Sequence, residues 1–138
     1  MLKETMTYVD YNGNERTEDF YFNLTEAELA EMEMSTSGGM GDFIQRIVSE
    51  QNGPELVKIF KDLILRSVGK KSLDGRRFEK SDAIRDEFSQ TEAYSDLFMK
   101  LATDADAAAR FVNGIIPKKI AKTETDVVKE FPQSLPNS

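Results

Sequence analysis

Apolar residues open the chain at even positions: Leu2, Met6, Tyr8, then Phe20, Phe22 and Leu24, with polar residues filling most places between them. A period of two marks a half-buried strand, and Thr, Tyr, Val and Phe favour extended backbone. The pattern predicts a β-hairpin over 2–24 that turns at Asn12-Gly13, two residues that tolerate positive φ. Parity then fixes the loop. Antiparallel strands put their even residues on one face only when paired numbers sum to an even value, which requires an odd loop. Three loop residues are therefore expected, Tyr11–Gly13, with Gly13 in a bulge.

From Thr25 the period becomes helical. Thr25-Glu26-Ala27-Glu28 has the form of a capping box. The helix it starts runs to about Met34, with Leu29 and Met32 inward and Glu26, Glu28, Glu31 and Glu33 around them. Ser35–Gly39 is a flexible break. A second helix is expected over about 41–50, burying Phe43, Ile44, Ile47 and Val48. Pro54 suits the first position of a third helix, over about 54–68. Its Leu56, Val57, Ile59, Phe60, Leu63, Ile64 and Val68 cover more than one face, as in a central helix. Gly69 is expected to stop it, with Lys70 and Lys71 near its negative pole.

Residues 70–80 read as a loop around Leu73-Asp74-Gly75, with a second small hairpin as an option. Ser81, Thr91 and Asp104 are capping residues for three more helices, over 81–90, 92–102 and 105–116. The expected fold is mainly α, an N-terminal β-hairpin packed on a bundle of about six short helices. It forms one domain over 1–117, followed by a tail over 118–138 expected to be flexible because it has few large apolar residues.

Charge narrows the partners. The net charge is −7, and residues 1–34 hold nine acids against two bases, also −7. Thirteen acids and twelve bases nearly balance over 35–117. Phosphate backbones demand cations, so nucleic acid is not an expected partner. Within the middle, 66–85 gathers Arg66, Lys70, Lys71, Arg76, Arg77, Lys80 and Arg85, which can attract the acidic helix 26–33 within or between protomers. No run has the roughly 18 apolar residues of a membrane span, so the expected location is the cytosol.

Cysteine and histidine are absent, which removes thiolate chemistry and the commonest metal ligand. Asp10–Glu15 superficially matches a calcium loop, but its glycine comes too early and no Glu stands at the bidentate position. Glu31/Glu33, Asp86/Glu87 and Asp104/Asp106 are paired carboxylates on expected polar faces or caps, not in a pocket that would separate their pKa values. Gly38–Gly41 and Ser72–Gly75 lack the spacing and trailing Lys-Ser/Thr of a phosphate loop. No catalytic residue, cofactor or metal site is assigned, and the chain does not read as an enzyme. The candidate chemistry is that of partner binding. Met32, Met34 and Met40 flank the break, where methionines suit an adaptable surface as well as a core. Phe78 stands among charges, as a loop anchor or an exposed hot spot. Lys80, Tyr94 and Phe98 complete the candidate partner-binding set.

The order of residues over 22–117 adds a resemblance. Asn23-Leu24-Thr25-Glu26-Ala27-Glu28-Leu29 is followed by Lys71-Ser72, Asp74-Gly75, Phe78, Lys80-Ser81, Phe88, Thr91, Ala93-Tyr94, Leu97, Phe111, Gly114 and Pro117. This resembles the tail assembly chaperones of long-tailed (siphovirus-type) bacteriophages, with Val68 where an aromatic is expected. The resemblance implies a non-enzymatic protein that binds the tape measure protein, keeps it soluble and helps recruit tail tube protein. It implies action in the cytoplasm of the infected bacterium and absence from the mature virion. Self-association stays open. So does a second reading, a small helical adaptor or regulatory interaction protein able to dimerise.

Overall fold

The structure is a computed structural model that describes residues 1–34 and 53–117, without the side chains of 32–34 and 53–56. The expected helix over 41–50, the break over 35–39 and the tail over 118–138 lie outside the described residues.

β1 (Leu2–Val9) and β2 (Glu15–Phe22) pair antiparallel from Leu2↔Phe22 to Val9↔Glu15, and every pair sums to an even number. The Asp10 N–H donates to the Asn14 carbonyl at 2.8 Å, and the Gly13 N–H donates to the Asp10 carbonyl at 2.9 Å. Gly13 has φ +84°. The loop is therefore Tyr11–Gly13, a tight turn followed by a left-handed glycine, as parity required. The Asp10 carboxylate steadies it by accepting from the N–H groups of Asn12 and Asn14, both at 2.9 Å. Even residues form the inner face. Tyr8, Phe22 and Leu24 are buried, and Leu2, Met6 and Phe20 pack against them. On the outer face the Thr5 hydroxyl donates to Asp19 at 2.6 Å and the hydroxyls of Thr7 and Thr17 are bonded at 2.8 Å.

Beyond the hairpin the mainly-α expectation is corrected. α1 (Glu26–Met34) and α2 (Gly53–Ser67) are followed by two more strands, β3 (Val68–Lys71) and β4 (Phe78–Glu79). The sheet is four-stranded and antiparallel, ordered β1-β2-β3-β4, with Tyr21↔Gly69, Phe22↔Val68, Lys70↔Glu79 and Lys71↔Phe78 as register. α3 (Asp82–Ser89), α4 (Glu92–Thr103) and α5 (Ala105–Ile115) complete the order. The described residues thus form an α+β unit of five helices and one four-stranded sheet, with α2, α3, α4 and α5 in contact with the strands. Gly69 does not end a helix. It is a strand residue at a point of close approach, where a Cβ would lie 2.6 Å from Phe78 Cε2 and 2.7 Å from the Glu79 carbonyl oxygen. Lys70 and Lys71 consequently serve no helix terminus. Lys70 pairs with Glu87 at 3.1 Å, and the Lys71 ammonium sits 4.6 Å from the Tyr21 ring centroid.

The helix starts follow local chemistry. Ser81 Oγ accepts from the Ile84 N–H at 3.1 Å, Thr91 Oγ1 from Tyr94 at 3.2 Å and Asp104 Oδ1 from Ala107 at 3.1 Å. Each satisfies an N–H that the first helical turn leaves unpaired. At the centre Phe22 meets Phe88 and Phe111 edge-on, with ring centroids 5.7 and 5.3 Å away. Phe60, Leu63 and Ile64 are buried as expected, but Val57 is 46% exposed, so the apolar face of α2 is narrower than its composition implied. The Leu24 N–H donates to the Ile115 carbonyl at 2.8 Å, fastening the exit of the hairpin to the end of α5.

Candidate partner-binding surfaces

Between the hairpin, β3 and the corner joining α3 to α4 lies a cleft of about 740 Å³. Its floor is apolar: Tyr8, Phe20, Ile84 and Phe88 line it, with the Phe20 and Phe88 rings 4.9 Å apart. Its charged residues are Asp10, Glu18, Asp19, Glu87 and Glu92 against Arg16, Lys70 and Lys71. Five acids against three bases leave it negative by two.

Its polar groups are held by one another. The Tyr8 hydroxyl donates to Glu18 at 2.5 Å, and this bond, aided by burial, pushes the phenol pKa up to about 12. Tyr11 donates to Glu92 at 2.7 Å, which raises its pKa and ties the hairpin tip to the start of α4. Arg16 bonds Asp10 at 2.7 Å, so the guanidinium first, then the N–H of Asn14, holds that carboxyl below its ordinary value. An apolar floor with an internally paired rim suits binding more than proton transfer. Among the described residues no group of three or more acids is arranged to hold a metal ion.

The loop from Ser72 to Arg77 projects beside this cleft. The Ser72 N–H donates to the Arg77 carbonyl and the Gly75 N–H to the Ser72 carbonyl, both at 2.9 Å. Ser72 Oγ donates to Asp74 at 2.7 Å and accepts from the Arg77 N–H at 3.0 Å. The Arg76 N–H donates to Asp74 at 3.0 Å; this bond, then that from Ser72, lowers the Asp74 pKa. Gly75 takes φ +76°, and Leu73 at the tip is fully exposed.

A third feature joins the acidic and basic stretches within one chain. The Glu28 N–H donates to Thr25 Oγ1 at 3.1 Å and the Thr25 N–H to Glu28 Oε1 at 2.8 Å, closing the capping box. The Lys80 ammonium reaches the same carboxylate, 2.8 Å from each oxygen, and donates to the Asn23 carbonyl at 2.6 Å. Burial would raise the Glu28 pKa, but its bonds to Lys80 and Thr25 prevail and lower it. Burial lowers the Lys80 pKa more than the pair restores it. The pair joins α1 to the segment between β4 and α3.

Of the candidate partner residues, Phe78 and Lys80 come together, the ammonium 5.8 Å from the ring centroid, with the Phe78 ring over Gly69. Lys80 is mostly buried in its internal pair. Tyr94 and Phe98 stand one turn apart on α4 with ring centroids 6.1 Å apart, both half-buried, and Tyr94 meets Phe88 edge-on at 5.8 Å. The side chains of Met32 and Met34, and all of Met40, lie outside the described residues. The cleft had no counterpart among the sequence candidates, and Leu73 was placed at the centre of its loop but not among the partner-binding residues. The one local signal was a large apolar residue in a six-residue turn otherwise made of Ser, Asp, Gly and Arg.

The described residues define a small α+β protein, and among them no helix is long and apolar enough to cross a membrane. The chain matches the phage tail assembly chaperone family over residues 1–137 and belongs to that family. Membership places it among chaperones rather than enzymes, with tail proteins as partners and a role during tail assembly in the host cell. No curated protein and no solved structure matches the chain.

Proposed function

We infer that this chaperone binds the tape measure protein, keeps it soluble while the tail is built, and helps recruit tail tube subunits. The carrying observation is the family match over residues 1–137. The distribution of charge supports it: the acids of residues 1–34 keep a chaperone–client complex dispersed through like-charge repulsion. In this reading the client is met by the set Met32, Met34, Met40, Phe78, Lys80, Tyr94 and Phe98. Tyr94 and Phe98 offer part-exposed aromatic area, the kind of surface that dominates interfaces. The chaperone acts in the host cytoplasm and is left out of the finished virion.

Co-expression with the cognate tape measure protein tests the proposal. The expected outcome is a higher soluble yield of that protein and a complex that survives pull-down. An unchanged yield together with no complex would overturn it.

A further inference from the structure

We propose that the Ser72–Arg77 loop of one copy docks in the cleft of a second copy, with Leu73 on the apolar floor and Arg76 and Arg77 against the acidic rim. This contact needs no client and forms in the pure protein. The loop is a preformed knob. Five internal hydrogen bonds hold its shape around Ser72 and Asp74, so little ordering entropy remains to be lost on docking. Those bonds leave Leu73 fully exposed at the tip, with Arg76 and Arg77 largely in solvent on the same loop.

The cleft is the matching hole. Half-buried Phe20 and Ile84 supply apolar surface at its floor. Its rim is negative by two, while the loop carries two arginines against Asp74. Arg76 stands 3.9 Å from Asp74 and Arg77 pairs with Glu79 at 2.7 Å, exposed contacts that docking exchanges for the rim acids. The loop does not fill its own cleft: Lys70 and Lys71, just before it, line the margin, and Leu73 is not among the lining residues. Knob and hole therefore lie side by side on one protomer. That adjacency suits a two-fold pair in which each loop enters the other's cleft, a self-complementary contact. One loop per partner covers less than the standard interface of about 1,600 Å², so the pair is weak and reversible. Opposite charge on knob and rim makes it weaken as salt rises.

Sedimentation velocity of the full chain over a wide concentration range, at low and high salt, tests this. Wild type should show a monomer–dimer equilibrium that shifts towards monomer with salt. Leu73→Glu, at a solvent-exposed tip, should keep the fold by circular dichroism and weaken dimerisation about tenfold or more, as loss of a central anchor does. Ile84→Glu, on the hole side, should do the same. Each variant alone lacks both contacts, but a mixture of the two keeps one intact knob and one intact hole. It should form heterodimers more readily than either variant forms homodimers. A wild type monomeric at every concentration overturns the proposal, as do Leu73→Glu dimers as tight as wild type and a mixture that pairs no better than its components.

Discussion

The Lys80 ammonium lies 2.8 Å from both carboxylate oxygens of Glu28, 52 residues earlier in the chain. The same carboxylate accepts the Thr25 N–H at 2.8 Å. One side chain thus caps α1 and ties it to the segment between β4 and α3.

Removing one partner should be worse than removing both. Lys80→Met leaves the part-buried Glu28 carboxylate and Asn23 carbonyl short of a donor. Because water reaches both, the loss should lie near the lower end of the range of about 1–3 kcal/mol that a stranded acceptor costs. Glu28→Gln with Lys80→Met keeps a capping-box residue and leaves no unpaired charge, so it should lose less than Lys80→Met alone, the Asn23 carbonyl being short of its donor in both. Urea midpoints at constant slope give the comparison. The pH dependence has a definite sign. The Glu28 pKa is lowered in the fold, so its contribution is complete above the ordinary carboxylate range and is lost as pH falls through the lowered value. Glu28→Gln should flatten that acid limb. A single Lys80→Met variant as stable as wild type would show that the contact fixes nothing.

Gly69 and Gly114 should respond oppositely to alanine. At Gly69 the new Cβ meets the Glu79 carbonyl oxygen at 2.7 Å, and backbone cannot give way without disturbing β4. Forcing in a methyl there should cost about 1–3 kcal/mol. At Gly114 the close atoms belong to one side chain, Leu2 Cδ1 at 2.9 Å, Cβ at 3.2 Å and Cδ2 at 3.3 Å, which must shift by a few tenths of an ångström to admit a methyl. Alanine inside a helix gains about 0.5–1 kcal/mol over glycine, so Gly114→Ala should lie close to wild type or above it. Equal losses at the two positions would contradict this contrast.

Within α2, Phe60 is 2% exposed and Val57 is 46% exposed. Phe60→Ala should cost about 3–5 kcal/mol, from lost burial and the cavity left behind. Val57→Ala should change stability by about 0.5 kcal/mol or less, as most surface substitutions do. Comparable losses would mean that Val57 is buried after all.

What could be read from sequence was what local chemistry determines. Alternate apolar residues set the hairpin face and parity set its loop, because a one-residue slip would turn Phe20 and Phe22 to solvent. Thr25, Ser81, Thr91 and Asp104 announced helix starts because each needs only an N–H two or three residues on. The small hairpin around Leu73-Asp74-Gly75, an option from sequence, is present as β3 and β4, but its start at Val68 and its pairing with β2 stayed hidden because that pairing is tertiary. Val68 continued the apolar pattern of α2, and Gly69 had the look of a helix stop. Instead the helix ends at Ser67, whose hydroxyl bonds back to the Leu63 carbonyl at 2.6 Å and whose own carbonyl accepts the Asn23 N–H. The meeting of acidic and basic stretches was legible as charge, but not the choice of Glu28 and Lys80. The cleft was illegible because its floor draws Tyr8 from β1, Phe20 from β2 and Ile84 and Phe88 from α3, three elements far apart in sequence.

Tyr8 gives a spectroscopic handle on that cleft. Its hydroxyl donates to Glu18 at 2.5 Å, and the bond, followed by burial, raises its pKa from 10.0 to about 12. The fold therefore favours the neutral phenol over the phenolate. The corresponding stability is complete below the unfolded value near 10 and is lost as pH rises through about 12. Of the four tyrosines, Tyr11 and Tyr94 are also raised, by the Glu92 hydrogen bond and by burial respectively. In an alkaline titration followed by phenolate absorbance, Tyr8 should supply a late step near pH 12. Tyr8→Phe should remove that step and reduce the loss of stability between about pH 10 and pH 12. Glu18→Gln should keep the tyrosine but move its step to lower pH, because the carboxylate that penalises a neighbouring phenolate is gone. A late step that survives Tyr8→Phe, or does not move in Glu18→Gln, would mean that the Tyr8–Glu18 bond does not hold the cleft side of the hairpin in solution.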